Sequence, residues 1–280
     1  MTKFTRLINI DAGNEYSYRL IELSTKKRTD RQKQAEYYTK TAQFYDEMHN
    51  ANTGEHALAL NFFLGFAREL NFKSVLDVGC GTGIAISKMR QHGFRACGVE
   101  PVKALIEIAV KKHQVPQSCL SVGSAERLDF ASASFDAVTE FGVLHHVKKP
   151  AQAIKEMMRI SRRGIFLSDE NRFGRGSAAW RIIKYIWWIT GIFPLGFLLM
   201  TKGRNYNETE GDGISYSYSV YDSYKMLKTW ADRIFMIPLS SSDKIHFGHP
   251  LFSSSHIFLC ALRESSGREK QLSNSAFRSS

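Results

Sequence analysis

Long apolar runs are what this 280-residue sequence lacks. Its first twenty residues, MTKFTRLINIDAGNEYSYRL, hold no unbroken apolar stretch, so a secretory leader is not expected. The most apolar segment, Tyr185 to Met200, has sixteen residues without a charge. At 1.5 Å per residue it reaches only ~24 Å, short of a ~30 Å hydrocarbon core, and Gly191, Pro194 and Gly196 interrupt it. It makes a poor transmembrane helix. Cysteine is also scarce: the 4 thiols are scattered and form no CxxC pair. A disulfide-stapled secreted domain is thereby excluded, and reduced thiols in a cytoplasmic protein are expected. No internal repeat is visible, so no solenoid is indicated.

What remains is 43% hydrophobic, enough for a substantial core, with a formal charge of +11. The excess is local. It sits in residues 1–40 (nine Lys/Arg against five acids), 162–204 (eight against two) and 263–280 (four against two). Such a surface suits phosphates of a lipid, a nucleic acid or a substrate, and equally serves solubility. From Ser74 onward strand-like and helix-like pieces alternate. SVLDV (74–78), RACGVE (95–100), CLSV (119–122), FDAVTEF (135–141) and GIFLSD (164–169) read as strands. GIAISKMRQHG (83–93), VKALIEIAVKKH (102–113) and PAQAIKEMMRI (150–160) read as helices between them. This alternation predicts an α/β fold with a parallel sheet covered by helices on both faces. RIFMIPL (233–239) and SHIFLCAL (255–262) predict an antiparallel pair at the sheet edge.

Within SVLDVGCGTG, Gly79, Gly81 and Gly83 follow the first strand at alternate positions. Glycine there admits unusual dihedrals and lets a ligand approach the peptide groups themselves, in the place where open α/β sheets bind ligands. A dinucleotide loop, GxGxxG, wants a third glycine where this chain has Ile84. Asp77 at the strand end opposes a pyrophosphate and suits a cationic amine. Glu100, ending the second strand, can accept hydrogen bonds from the cis hydroxyls of a ribose. A ribose and a positive group without phosphate point to S-adenosylmethionine rather than NAD.

The chain resembles the class I S-adenosylmethionine-dependent methyltransferases of the small-molecule VLHH type. The resemblance spans about Tyr37 to Leu262 and rests on LDVGCGTG (76–83), GVEP (98–101), GSAERLDF (123–130) and FDAVTEFGVLHHV (135–147), in order. It implies a Rossmann-like seven-stranded sheet of order 3-2-1-4-5-7-6 with the last strand antiparallel. It also implies that Asp77 and the loop Gly79, Cys80, Gly81 and Gly83 hold the methionine moiety. Glu100, with Pro101 beside it, would hold the ribose, and Ser124, Ala125 and Glu126 the adenine. Phe141 would approach from the fourth strand, and Tyr37 or Tyr45 would close over the cofactor from the N-terminal helices. Relatives usually carry an aspartate where this chain has Ser124, a weaker acceptor.

The domain reading is an N-terminal arm (1–35), helices closing the cofactor site (36–72), a methyltransferase domain (73–262) with a helical cap insertion (170–231), and a disordered tail (263–280). His145 and His146 past the fourth strand, with Asp169 ending the fifth, are the candidate catalytic groups. Imidazole titrates near pH 6.5, which suits removal of a hydroxyl proton. Adjacent side chains project differently, so one histidine is expected to face the acceptor. No His/Asp/Glu cluster has ligand-like spacing along the chain, and no metal is expected. Nucleic acid is not the expected partner: the Pro-Pro-aromatic motif of base amino methylation is absent after the fourth strand. RNA ribose methylation and non-catalytic S-adenosylmethionine binding remain the alternatives. In the insertion, Asp212 and Tyr216 are candidate contacts to a polyhydroxylated substrate, or else part of a turn and strand. Residues 185–200 are either a helical lid or a membrane-interface segment, the latter giving a peripheral membrane contact through residues 181–204 that serves a lipid-linked or amphipathic acceptor. The reaction expected is methyl transfer to an oxygen of a small molecule.

Overall fold

The computed structural model describes residues 28–48, 54–209, 211–239 and 253–264. Most of the N-terminal arm and nearly all of the expected tail lie outside these residues. Strands β1 (Ser74–Val78), β2 (Arg95–Glu100), β3 (Leu120–Val122), β4 (Phe135–Phe141) and β5 (Ser161–Glu170) run parallel. A short hairpin, β6 (Asn207–Thr209) and β7 (Gly213–Ser215), stands apart from them. At the edge, β9 (His256–Leu262) pairs antiparallel with β5 and with β8 (Arg233–Pro238). The main sheet has seven strands in the order β3-β2-β1-β4-β5-β9-β8, with β9 alone reversed. This is the expected topology, the late pair included.

Alternation across the pleat builds two cores. Val75, Ala137, Phe166 and Phe258 face one way, against helices α3 (Glu55–Glu69), α4 (Ile84–Gln91) and α5 (Lys103–Lys111). Phe63 meets Phe166 edge to face at 4.9 Å in the middle of that layer. Leu76, Val138, Leu167 and Leu259 face the other way, against α6 (Pro150–Ile160) and α9 (Val220–Trp230). Strands buried on both faces explain why β1 and β5 read as continuous apolar runs rather than alternating ones.

Preceding the sheet are α1 (Asp30–Thr41), capped by the Thr29 hydroxyl, and the single turn α2 (Tyr45–Met48). Helix α1 therefore begins inside what the sequence suggested as a loose arm. The insertion is also smaller than expected. Helix α9 packs in the sheet's covering layer through Val220 and Leu227, so the cap reduces to the segment between β5 and α9. It contains α7 (Ala178–Ile189), α8 (Phe193–Met200) and the β6–β7 hairpin. Gly191, at φ +75°, ends the uncharged stretch's first helix and makes it two. No helix among the described residues is long and apolar enough to cross a membrane.

Candidate active site

At the carboxyl ends of β1, β2 and β4 the turns open a cavity of about 610 Å³. Gly79, Gly81 and Gly83 all take positive φ, at +72°, +52° and +76°. A Cβ at Gly81 would stand 3.1 Å from the Tyr45 ring. The loop is thus bare because its backbone is left-handed and because an aromatic ring covers it. Glu100, ending the next strand, ties the loop down: Gly81 N–H donates to its Oε2, and Val102 N–H, beyond that strand, to its Oε1, both at 3.0 Å. Burial raises the Glu100 carboxyl to about 7, against those two backbone bonds. Asp77 is likewise buried and raised to about 7; burial dominates, while the Thr139 hydroxyl, 2.8 Å away, pulls it down. Pro101, Ser124, Ala125 and Glu126 line the same cavity, together with Tyr38 and Tyr45. Phe141, Asp77 and Cys80 line an adjoining cavity of about 280 Å³.

One expected position differs. Tyr37 turns toward Gly213 of the cap, and Tyr38 lines the cavity in its place. Adjacent residues on a helix point about 100° apart, and the polar sequence of α1 does not mark its inward face. The N-terminal segment is tied to the loop by Asp46, which accepts from the Thr82 hydroxyl and from Lys112 Nζ at 2.7 Å.

The histidines do not diverge. Their rings lie 4.0 Å apart in a short 3-10 turn after β4, and both Nε2 atoms face Asp212: His145 to Oδ2 at 3.2 Å, His146 to Oδ1 at 3.1 Å. Behind them, His145 Nδ1 meets Asp169 Oδ1 at 2.7 Å and His146 Nδ1 meets the Ile214 carbonyl at 2.6 Å. Asp169 is wholly buried and also accepts from Leu144 N–H at 2.8 Å. Burial alone would raise it, yet the His145 charge and hydrogen bond hold it down at about 2. For His145 burial opposes protonation, but Asp169 and the bonds to both carboxylates hold it well above the usual histidine range.

Asp212 reaches this point because the β6–β7 hairpin docks there. Tyr216 N–H donates to the His145 carbonyl at 2.7 Å, and Ile214 N–H to Gln34 Oε1 at 2.5 Å. Tyr216 lines the cavity, its hydroxyl donating to Asp30 at 3.1 Å. One further group escaped the sequence reading. His56 of α3 sits against Ser168 Oγ at 2.8 Å beside Gly142, and burial lowers it to about 4. Nothing in its local sequence marked it.

Comparison with known proteins bears on the domain and the fold. Residues 76–168 match the model of the methyltransferase domain family. A ubiquinone biosynthesis O-methyltransferase of Pseudomonas paraeruginosa is 33% identical over 106 residues, which is 36% of this chain and 45% of that protein. One from Coxiella burnetii is 33% identical over 109 residues, 37% and 46% respectively. The chain therefore spans less than half the length of the curated relatives it matches. Among solved structures, magnesium protoporphyrin IX methyltransferase of Synechocystis with bound S-adenosylhomocysteine superposes with a TM-score of 0.54 at 17% identity. That match covers 84% of this chain and 100% of that one. A putative methyltransferase of Haloferax volcanii, in complex with an activator, gives 0.53 at 12% identity, covering 83% and 98%. These last two likenesses speak for the fold. Glycine loop, strand-end glutamate, sheet order and domain match converge: residues 76–168 match a methyltransferase domain, set in the fold of the solved methyltransferases.

Proposed function

We propose that the chain transfers a methyl group from S-adenosylmethionine to an oxygen of a small, lipid-like acceptor. The observation that carries this reading is the shared opening of two dissimilar groups. A bare, left-handed glycine loop with a buried carboxylate stands at one end, and the His145–His146–Asp212 cluster at the other. The residues fit the cofactor. Gly79 brings bare backbone to both cavities, Glu100 offers a pre-oriented carboxylate to ribose hydroxyls, and Asp77 lines the adjoining cavity. Bound there, S-adenosylmethionine supplies an electrophilic methyl group. Glu100 and Asp77 orient it, and Tyr38 and Tyr45 keep water from the loop.

The acceptor end has its own division of labour. The 2.6 Å contact to the Ile214 carbonyl places a proton on His146 Nδ1, leaving Nε2 able to take the acceptor's hydroxyl proton. Asp169 fixes the His145 ring, and the histidine pair with Tyr38 fixes Asp212. Placement of two reactants is worth about 7–11 kcal/mol of barrier and a positioned base about 10²–10⁴-fold in rate.

A lipid-like acceptor is supported by the cap. On α7 and α8, Ile182, Ile186, Ile189, Leu195, Leu199 and Met200 are exposed, Leu199 at 71%. The opposite side, with Trp188, Phe193 and Phe197, lines a cavity of about 700 Å³ that shares Tyr216, Lys148 and Lys149 with the central one. Of the basic residues ahead of this stretch, Arg172 pairs with Asp222, Arg175 with Glu170, and Lys184 is buried against two carbonyls. Among the described residues, Arg181 and Arg204 meet only backbone carbonyls and the Tyr206 ring, and with exposed Lys202 they keep their charge for a peripheral contact with anionic headgroups. The expectation that the whole basic flank serves that purpose is thus narrowed. The test is transfer of a labelled methyl from S-adenosylmethionine into the lipid and aqueous fractions of a cell extract. Label in a lipid species with the wild type, and at least a hundredfold less with His146→Ala, is the expected result. Binding of S-adenosylhomocysteine without label in either fraction refutes the activity.

A further inference from the structure

We infer that His145 Nε2, His146 Nε2 and the Asp212 carboxylate form a binding site for one divalent transition-metal ion. The ligand atoms lie within 4.8 Å of one another, with each Nε2 already 3.1–3.2 Å from a carboxylate oxygen. Ligands held at ~2.1 Å around a tetrahedral or octahedral ion stand ~3.0–3.4 Å apart. Pairwise spacing to Asp212 is therefore already that of a coordination shell.

What lies behind the ligands points the same way. A ligating imidazole needs its Nε2 lone pair directed at the ion and its other nitrogen anchored by an acceptor. Both histidines have that anchor, His145 from buried Asp169 at 2.7 Å and His146 from the Ile214 carbonyl at 2.6 Å. Both Nε2 atoms and the carboxylate converge on one point, which the Tyr38 hydroxyl also reaches, 3.0 Å from His146 Nε2. A positive centre there holds the three together. Protons on Nε2 are one such centre and a metal ion is another, with the ion satisfying all three groups at once.

Two imidazoles and one carboxylate favour zinc, cobalt, nickel, iron or manganese over magnesium or calcium, which prefer all-oxygen shells. The remaining coordination positions open into the cavity lined by Tyr38, Phe141 and Gly142. The ion deepens the proposed function, on which its role in catalysis rests: with His146 Nε2 spent as a ligand, the ion replaces that nitrogen in promoting loss of the acceptor's proton, which passes to solvent. An acceptor oxygen ligated there loses its proton more readily, so the acceptor class becomes hydroxyl compounds able to ligate a metal.

Full-length protein stripped with a chelator and then dialysed is titrated with Co²⁺ and Zn²⁺ alone, by calorimetry and by the visible absorption of cobalt. The expected result is one saturable ion per chain, with affinity falling at least a hundredfold in Asp212→Asn and in His146→Ala. Asp169→Asn, behind the ligand, costs about 10–100-fold. Asp212 is 35% exposed on a hairpin, so its variant leaves the core intact if His146→Ala does not fold. Absence of saturable binding up to millimolar ion, or binding undiminished in Asp212→Asn, overturns the site. S-adenosylhomocysteine uptake is measured beside it. Nucleoside binding without an ion removes only the metal, whereas ion binding without the nucleoside removes only the methyltransferase reading.

Discussion

Replacing Glu100 by glutamine separates what its shape does from what its charge costs. In the ligand-free protein the carboxylate accepts from Gly81 N–H and Val102 N–H while buried at 6% exposure. Its carboxyl rises from 4.5 to about 7, chiefly through burial. Between these values the folded state holds a proton that the unfolded chain has released, so stability falls as pH rises through the window and is flat above it. At about 1.4 kcal/mol per pH unit the loss is about 3 kcal/mol. Glutamine carries no such charge. Its amide nitrogen cannot accept, however, so one backbone N–H loses its partner at a cost of about 1–3 kcal/mol at any pH. Glu100→Gln is therefore less stable than wild type at pH 5 and as stable or more so at pH 8. The melting curves cross between. Glu140, also raised by burial, titrates in both proteins and cancels in the difference; Asp77, raised in part by the Glu100 charge, moves down in the variant, which adds to the crossing. Calorimetric melting of ligand-free protein at pH 5, 6, 7 and 8 reads this directly, each kcal/mol being about 2–4 °C. Parallel curves across the range would refute a buried, upshifted carboxyl.

Three more outcomes follow from the same geometry. Gly81→Ala forces a Cβ into a φ of +52° and to 3.1 Å from Tyr45, costing about 1–2 kcal/mol and weakening S-adenosylhomocysteine binding; unchanged calorimetric affinity and stability would contradict the close approach. Asp169→Asn removes the charge and one of the two oxygens that accept from Leu144 N–H and face the His145 ring, and urea unfolding should show a loss of about 3–5 kcal/mol. A loss under 1 kcal/mol would mean the pair is not a buried ion pair. Ile186→Ser with Leu199→Ser, both exposed, should leave the melting temperature unchanged while reducing flotation with phosphatidylglycerol vesicles at least tenfold. A wild type that does not float at all removes the membrane contact.

Much of this protein is written in consecutive residues. Helix and strand periods placed the sheet, the late antiparallel pair and the helix over 150–160, because amphipathic faces are a property of neighbours along the chain. The alternate glycines and Glu100 were legible for the same reason: left-handed turns and strand ends are local. Tertiary structure alone decided the acceptor side. Asp212 meets the histidines across 66 and 67 residues through a hairpin whose docking depends on Gln34 and Tyr216. Which tyrosine of α1 turns inward, that Lys184 is buried, and that α9 belongs to the covering layer rather than the cap were settled the same way. Each depends on which surfaces the folded chain presses together, and no spacing in the sequence encodes that.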